Sequence, residues 1–161
     1  MPDLVTHILF THIITRFPNL IKNKFLNYYN EYKVLIFIGA ILPDLVSKPL
    51  QFIYMGFYNF TLPLHSPFCV TLACILISNF FYVNNKKSTF YTLWLFSMLH
   101  IFLDSFQRGM NPGYQLLFPY SFERIGLNLI SSEIFIYLVV VFLFISIMIE
   151  LSMYFKNKKI K

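Results

Sequence analysis

Histidine and aspartate residues in or beside apolar segments are the part of this sequence that could do chemistry, because ionisable side chains are costly there. His100 and Asp104 are four residues apart, which places both on one face of a helix, about one turn apart. An imidazole and a carboxylate so placed can share a metal ion, and they suit zinc or another first-row divalent ion rather than calcium. A single His–Asp hydrogen bond along the helix is the simpler interpretation.

The composition predicts the kind of scaffold that holds these residues. The 161-residue chain is 57% hydrophobic and only 12% charged, with 20 Phe and 11 Tyr residues. A soluble domain of this length could not bury so much apolar surface, and the composition also excludes a disordered chain, a collagen-like fibre and a disulfide scaffold. We therefore predict an all-α fold, a polytopic membrane helix bundle that forms one domain over residues 1–161.

Five apolar segments are the expected helices of this bundle. They extend from about residue 3 to 15, 33 to 44, 66 to 83, 88 to 106 and 132 to 155. A membrane span needs about 20 residues, so the last three qualify as spans and the first two are short. Pro43 is expected to end the second helix. Ser66 is placed to cap the third, with Pro67 at its first position, and residues 107–130 are expected to form a surface loop with room for a short interfacial helix.

The basic residues predict how the bundle is oriented. If the five segments alternate, ten of the thirteen Lys and Arg residues share one side, which the positive-inside rule makes cytoplasmic. The opposite side has only Lys48, Arg108 and Arg124. We therefore expect a multi-pass protein of the inner membrane, with its N-terminus outside and its C-terminus in the cytoplasm. The net charge of +6 then reflects orientation in the bilayer, and we expect no nucleic-acid partner.

This topology brings potential metal ligands from four helices to the outer face. His7 lies at the outer end of the first helix, Asp44 ends the second, and His65 directly precedes the third. His100 and Asp104 lie in the last turns of the fourth helix. Because Lys and Arg alone fixed the topology, this convergence supports a metal site independently.

Two further ionisable residues are expected outside this site. His12 is five residues after His7, about 140° around the helix, so we interpret it as a lining or interface histidine. Glu150 lies near the inner end of the fifth helix, where we expect it beside the basic C-terminal tail.

Five short motifs, taken in order, resemble the pattern of the small membrane-bound metal-dependent hydrolases, whose best-known member type is an inner-membrane protein under bacterial DNA-damage control. The motifs are TH at 6–7, GAILPD at 39–44, LHSP at 64–67, HIFLD at 100–104 and FPYSF at 118–122. The resemblance covers nearly the whole chain. The GxxxPD motif and the ligand set also resemble, more loosely, zinc-dependent phospholipases C.

The resemblance implies a metal-dependent hydrolase and assigns its site residues. The metal-binding positions would be His7, Asp44, His65, His100 and Asp104. Ser66 would neighbour the site, and Pro119 and Ser121 would belong to a loop that covers it. Family members often have a basic residue just before the His-Ser pair, which the sequence TLPLHS lacks, so Arg108 or Arg124 could bind substrate in its place. The candidate substrate-binding residues are thus Ser66, Arg108, Ser121 and Arg124.

The leading functional hypothesis is a hydrolase that acts at the outer leaflet on a lipid or lipid-linked ester or phosphoester. One or two divalent ions, with Zn²⁺ as the first candidate, would activate a water molecule. Five ligands exceed one tetrahedral shell, so either two ions bind or a carboxylate, Asp44 or Asp104, acts as a catalytic base. The alternative is a non-enzymatic membrane protein whose structural metal site clips four helices together. A transporter is disfavoured because the polar residues gather at one face.

Overall fold

The computed structural model describes residues 4–21, 24–53, 61–81, 85–108 and 113–158. The fold is all-helical, as predicted, with one small pair of parallel strands. The elements are α1 (Leu4–Ile21), α2 (Lys24–Ile53), a 3₁₀ helix (Leu62–His65), α3 (Pro67–Ser78), α4 (Lys86–Phe106), β1 (Gln107–Arg108), β2 (Ile130–Ser131) and α5 (Ser132–Lys158). The basic residues Lys22, Lys159 and Lys161 of the predicted cytoplasmic side lie outside the described residues.

Both of the first two helices are longer than predicted, but over the described residues only α2 of the two is long and apolar enough to cross a membrane. α1 has 18 residues and α2 has 30, whereas α3 has only 12 and is about 18 Å long, too short to cross a bilayer. α3 ends early because Asn79 follows it, and the Asn79 side chain donates a hydrogen bond to the Ile75 carbonyl oxygen at 3.0 Å. Such side-chain bonds offer the backbone an alternative to further helix.

α2 continues through Pro43 because a neighbouring helix supplies the hydrogen bond that proline cannot make. Pro43 has no N–H to donate to the Gly39 carbonyl oxygen four residues earlier. The Ser97 hydroxyl of α4 donates to that oxygen instead, at 3.0 Å. A Cβ atom on Gly39 would lie only 3.0 Å from the Leu93 carbonyl oxygen, so glycine permits this close approach of α4. The prediction that Pro43 ends the helix is therefore wrong, and Asp44 lies within α2.

The start of α3 agrees with the prediction. The Ser66 hydroxyl accepts a hydrogen bond from the Cys69 backbone N–H at 3.3 Å, and Pro67 occupies the first helical position. This cap fixes the chain direction directly after His65. The stretch from 113 to 131 forms turns, an isolated antiparallel bridge between Tyr114 and Ile125, and β2, so the short interfacial helix is not found in these residues.

α4 packs against both α2 and α3. α2 packs against α4 and α1, and α1 separately packs against α5. The main core cluster joins α2, α3 and α4 through the buried residues Leu42, Val70, Cys74, Leu93 and Ile101. Burial of these side chains fixes α4 in position against α2.

Two of the described helices are long and apolar enough to cross a membrane, and of the three predicted spans only the last is among them. The two segments cover Asn27–Gln51 within α2 and Ile136–Lys156 within α5. Most of α5 is exposed, and its exposed residues are apolar on nearly every side, among them Val140, Phe144 and Leu151. A helix that is apolar all round is typical of a core or a lipid environment, and α5 has little protein around it.

Candidate metal site

The five predicted metal ligands come together at one end of the bundle. We call Asp44, His65, His100 and Asp104 the His–Asp cluster, and His7 lies against it. They come from α1, α2, the end of the 3₁₀ helix and α4. Each of the five is at most 3% exposed. This burial separates the cluster from bulk water.

Asp104 lies at the centre of the arrangement. Its Oδ2 is 2.7 Å from His65 Nε2 and 3.5 Å from His100 Nε2, and its Oδ1 is 3.2 Å from His7 Nε2. Asp44 Oδ1 lies 3.7 Å from His100 Nε2. One ligand atom from each member of the His–Asp cluster lies within 4.8 Å of all the others, so these four residues could hold a metal ion. Two imidazoles and two carboxylates are a donor set that zinc accepts.

Hydrogen bonds on the far side of two rings fix which nitrogen faces the cluster. His100 Nδ1 is 2.6 Å from the Ala40 carbonyl oxygen, which can only accept, so this nitrogen is the donor. The Ser47 hydroxyl donates to the Pro43 carbonyl oxygen at 2.8 Å, and its oxygen therefore accepts from His65 Nδ1 at 3.3 Å. In the neutral rings, both Nε2 atoms then present lone pairs to carboxylate oxygens. A second proton on each ring, or a metal cation between these groups, would satisfy both partners, and backbone and side-chain acceptors of this kind typically orient metal-binding histidines.

Several buried polar atoms of the site have no hydrogen-bond partner among the residues that the structure describes. They are both ring nitrogens of His7, His100 Nε2 and Asp104 Oδ1. Leaving buried polar groups unsatisfied costs about 1–3 kcal/mol each, which a bound divalent ion would offset for those that face it. His7 stacks on His100 with ring centroids 3.7 Å apart, and it is not one of the four mutually close ligands.

Two residues beside the cluster were not predicted to take part. The Lys48 ammonium contacts Asp44 Oδ2 one helical turn along α2. Tyr114 stacks on His65, with ring centroids 4.9 Å apart and an angle of 25°. The spacing of Asp44 and Lys48 would have indicated the first contact if α2 had been predicted to continue past Pro43.

The predicted substrate-binding residues differ in exposure. Ser66 is buried as the cap of α3, directly after His65. Arg108 is exposed in β1, and Arg124 is also exposed. Ser121 is half-buried, and its hydroxyl accepts from the Glu123 backbone N–H at 3.1 Å. Their role in binding stays a prediction.

A second polar group, which we call the α1–α5 ion network, lies along the same helix as His7. His12 Nε2 is 3.1 Å from Glu150 Oε1, and His12 Nδ1 is 2.8 Å from the Ser146 hydroxyl. Arg16 Nε and Nη2 donate to the two Glu150 oxygens at 2.7 and 3.2 Å, and the guanidinium carbon lies 4.3 Å from the centre of the Tyr29 ring. His12 is thus an interface residue outside the cluster, as predicted. Glu150 pairs with α1, a contact that the sequence did not predict.

Comparison with known proteins identifies the family. The model of the YdjM inner membrane protein family matches residues 1–159, so the chain belongs to this family. No curated protein and no solved structure matches the chain. The family match confirms the membrane location that the composition and the two long apolar helices indicate.

Proposed function

We propose that this member of the YdjM family is a membrane-embedded, metal-dependent hydrolase that acts at the outer membrane face. Its substrate would be a lipid or a lipid-linked ester or phosphoester. The observation that carries the proposal is the buried set of two imidazoles and two carboxylates whose ligand atoms lie within 4.8 Å of one another. A divalent cation bound among these groups would balance the two carboxylates in place of a second proton on each ring.

Zn²⁺ is the proposed ion, with one or two per chain. When bound, such an ion lowers the pKa of a water molecule towards neutrality and polarises an ester or phosphoryl oxygen. Asp44 and Asp104 provide the carboxylates, one of which accepts the proton of the attacking water. Ser47 and the Ala40 carbonyl hold His65 and His100 in the tautomers that leave both Nε2 atoms free to bind.

The proposed orientation is a multi-pass bundle with the site outside and the basic residues inside. The cluster lies at the C-terminal end of α4, and Lys87 lies about 25 Å away at its start. Opposite ends of one helix thus have the metal ligands and the basic residues that favour the cytoplasm. Reporter fusions test this orientation: a C-terminal reporter should be active only in the cytoplasm, and activity only outside the membrane would contradict the outward site.

Hydrolysis by the reconstituted protein tests the proposed activity. Zn²⁺-loaded protein in phospholipid vesicles should release a water-soluble headgroup or phosphate from a lipid substrate. Asp104→Asn should lower the rate by about 10²–10⁴-fold, because it removes the central carboxylate. His12→Gln is the matched control, since His12 lies on the same helix as His7 but outside the cluster. A rate that survives both Asp104→Asn and chelation would refute the proposal.

A structural metal clip is the second candidate, because the cluster joins three separate elements and His7 of a fourth lies against it. Melting curves of wild type and Asp44→Asn in detergent, each with and without chelator, separate the two functions. For an enzyme, Asp44→Asn should abolish hydrolysis and leave the protein folded, because each helix satisfies its own backbone without metal. For a clip, the substitution should lower the melting temperature as much as chelation does.

A further inference from the structure

We propose that Lys48 binds the anionic group of the substrate, which makes the substrate a phosphoester rather than a carboxylic ester. This inference rests on the proposed function, since it takes the His–Asp cluster as the metal site. Among the described residues, Lys48 is the lysine or arginine that pairs with a member of the cluster.

Lys48 connects the buried cluster with the surface. Its ammonium contacts Asp44 Oδ2, while the other oxygen of the same carboxylate faces His100. The Lys48 side chain is 26% exposed, against 4% for Asp44. The Lys48 side chain therefore lies at the rim of the cluster, between the buried carboxylate and the surface.

The same segment of α2 also contacts His65, the ligand at the end of the 3₁₀ helix. Ser47, the residue before Lys48, makes a hydrogen bond with His65 Nδ1. Lys48 thus extends from a backbone position whose neighbour is held against the ligand set.

The charges of the site favour an anion. Asp44 and Asp104 supply two negative charges, which one divalent ion balances when the three histidines are neutral. Lys48, whose described ion-pair partner is Asp44, then adds one positive charge in excess of this balance. A phosphodiester or phosphomonoester would balance this charge, whereas a neutral carboxylic ester would leave it unpaired beside a buried site.

An ordinary helical ion pair is the competing explanation for the Asp44–Lys48 contact. Pairs four residues apart are common, and they contribute little. The two explanations differ in what Lys48 does once a divalent cation is present. If Lys48 is only a structural partner of Asp44, it helps to hold that carboxylate in place for the cation. If Lys48 binds substrate, it competes with the cation for the Asp44 carboxylate until an anionic ligand binds.

Calorimetric titration of inorganic phosphate into the full-length, Zn²⁺-loaded protein in detergent micelles tests this inference. Lys48→Met keeps the length of the side chain and removes its charge, and it should weaken phosphate binding by about tenfold or more. Lys48→Arg should restore most of the affinity. Lys33→Met is the matched control, because Lys33 is an exposed lysine on the same helix, about 22 Å along its axis. The affinity for Zn²⁺, measured on the same variants, should stay equal or increase in Lys48→Met.

The other outcomes overturn the inference. Phosphate binding that is unchanged in Lys48→Met, or that Arg108→Met weakens instead, would remove Lys48 from substrate recognition. Loss of Zn²⁺ from Lys48→Met would make Lys48 a structural partner of Asp44. If the wild type binds Zn²⁺ but no phosphate, only this inference fails. If the wild type binds no Zn²⁺, the proposed function fails with it.

Discussion

Two histidines five residues apart on α1 have opposite surroundings. Both ring nitrogens of His12 have partners, Glu150 on one side and Ser146 on the other. Both ring nitrogens of His7 are buried without a hydrogen bond in the part of the chain that the structure describes. His12 completes a contact between two helices, whereas His7 lies against the candidate metal ligands with both of its ring nitrogens unsatisfied among the described residues.

The difference in burial agrees with this contrast. The Glu150 side chain is 44% exposed and pairs with a permanent cation, Arg16, on a neighbouring helix. The carboxylates of the His–Asp cluster are almost fully buried, and histidines surround Asp104. A buried, uncompensated carboxylate is far more costly than an exposed pair. The network thus has the properties of a structural contact, and the cluster has those of a ligand site.

The largest expected effect separates these two regions by metal content. His100→Ala removes a ligand atom from the cluster and should lower the affinity for Zn²⁺ by about 100-fold or more. His12→Ala should leave the metal content of the purified protein unchanged. Elemental analysis of both variants after equilibration with Zn²⁺ checks this pair. Loss of metal from His12→Ala but not from His100→Ala would reverse the assignment of the two regions.

A steric change should affect the cluster without touching a ligand. In Gly39→Val the added side chain would meet the Leu93 carbonyl oxygen and the Phe96 Cβ, each 3.0 Å from the new Cβ position. We expect a loss of about 2–3 kcal/mol in stability as α4 moves away from α2. Zn²⁺ affinity should fall as well, because the Ala40 carbonyl that orients His100 lies at this contact.

Thermal unfolding in detergent and a Zn²⁺ titration measure the two effects of Gly39→Val. Gly39→Ala, with its smaller side chain and better helix propensity, is the graded control and should lose less. Unchanged stability and metal affinity in Gly39→Val would show that the close approach of α2 and α4 does not position the site.

The residues of the cluster could be predicted from sequence because their convergence depends only on the order and direction of the helices. The distribution of Lys and Arg supplied that direction, and the position of Ser66 and Pro67 supplied the start of α3. Neither required knowledge of a tertiary contact.

The errors came from contacts that local sequence does not contain. The rule that proline ends a helix failed at Pro43, since Ser97, on another helix, donates to the carbonyl oxygen that Pro43 leaves unpaired. Lys48 was consequently placed in a loop, and its contact with Asp44 was missed. The pairing of Arg16 with Glu150 joins residues 134 positions apart, and no spacing pattern indicates it.

A smaller effect is expected from the α1–α5 ion network. Glu150→Gln removes the charge that pairs with Arg16 and should lower stability by about 1 kcal/mol, or about 3 °C in melting temperature. Zn²⁺ content should stay unchanged, because the network and the cluster share no residue. Differential scanning of the variant in detergent measures the shift, and a change in metal affinity would show that the two regions are coupled.

The smallest effect concerns the ring that covers His65. Tyr114→Leu removes the aromatic stacking and should weaken Zn²⁺ binding by about fivefold, since such ring contacts contribute about 1 kcal/mol. Competition with a chromophoric chelator resolves a change of this size. Tyr114→Phe retains the ring and is the control. If Phe and Leu weaken binding equally, the hydroxyl rather than the stacked ring supports the site.

Metal stoichiometry combined with X-ray absorption spectroscopy tests the central claim most directly. Purified full-length protein equilibrated with Zn²⁺ should retain at least one ion per chain, with nitrogen and oxygen ligands and no sulfur. Asp104→Asn, treated in the same way, should lose it. Protein that retains no metal, or a coordination shell that contains sulfur from Cys69 or Cys74, would contradict the assignment of the His–Asp cluster as the metal site.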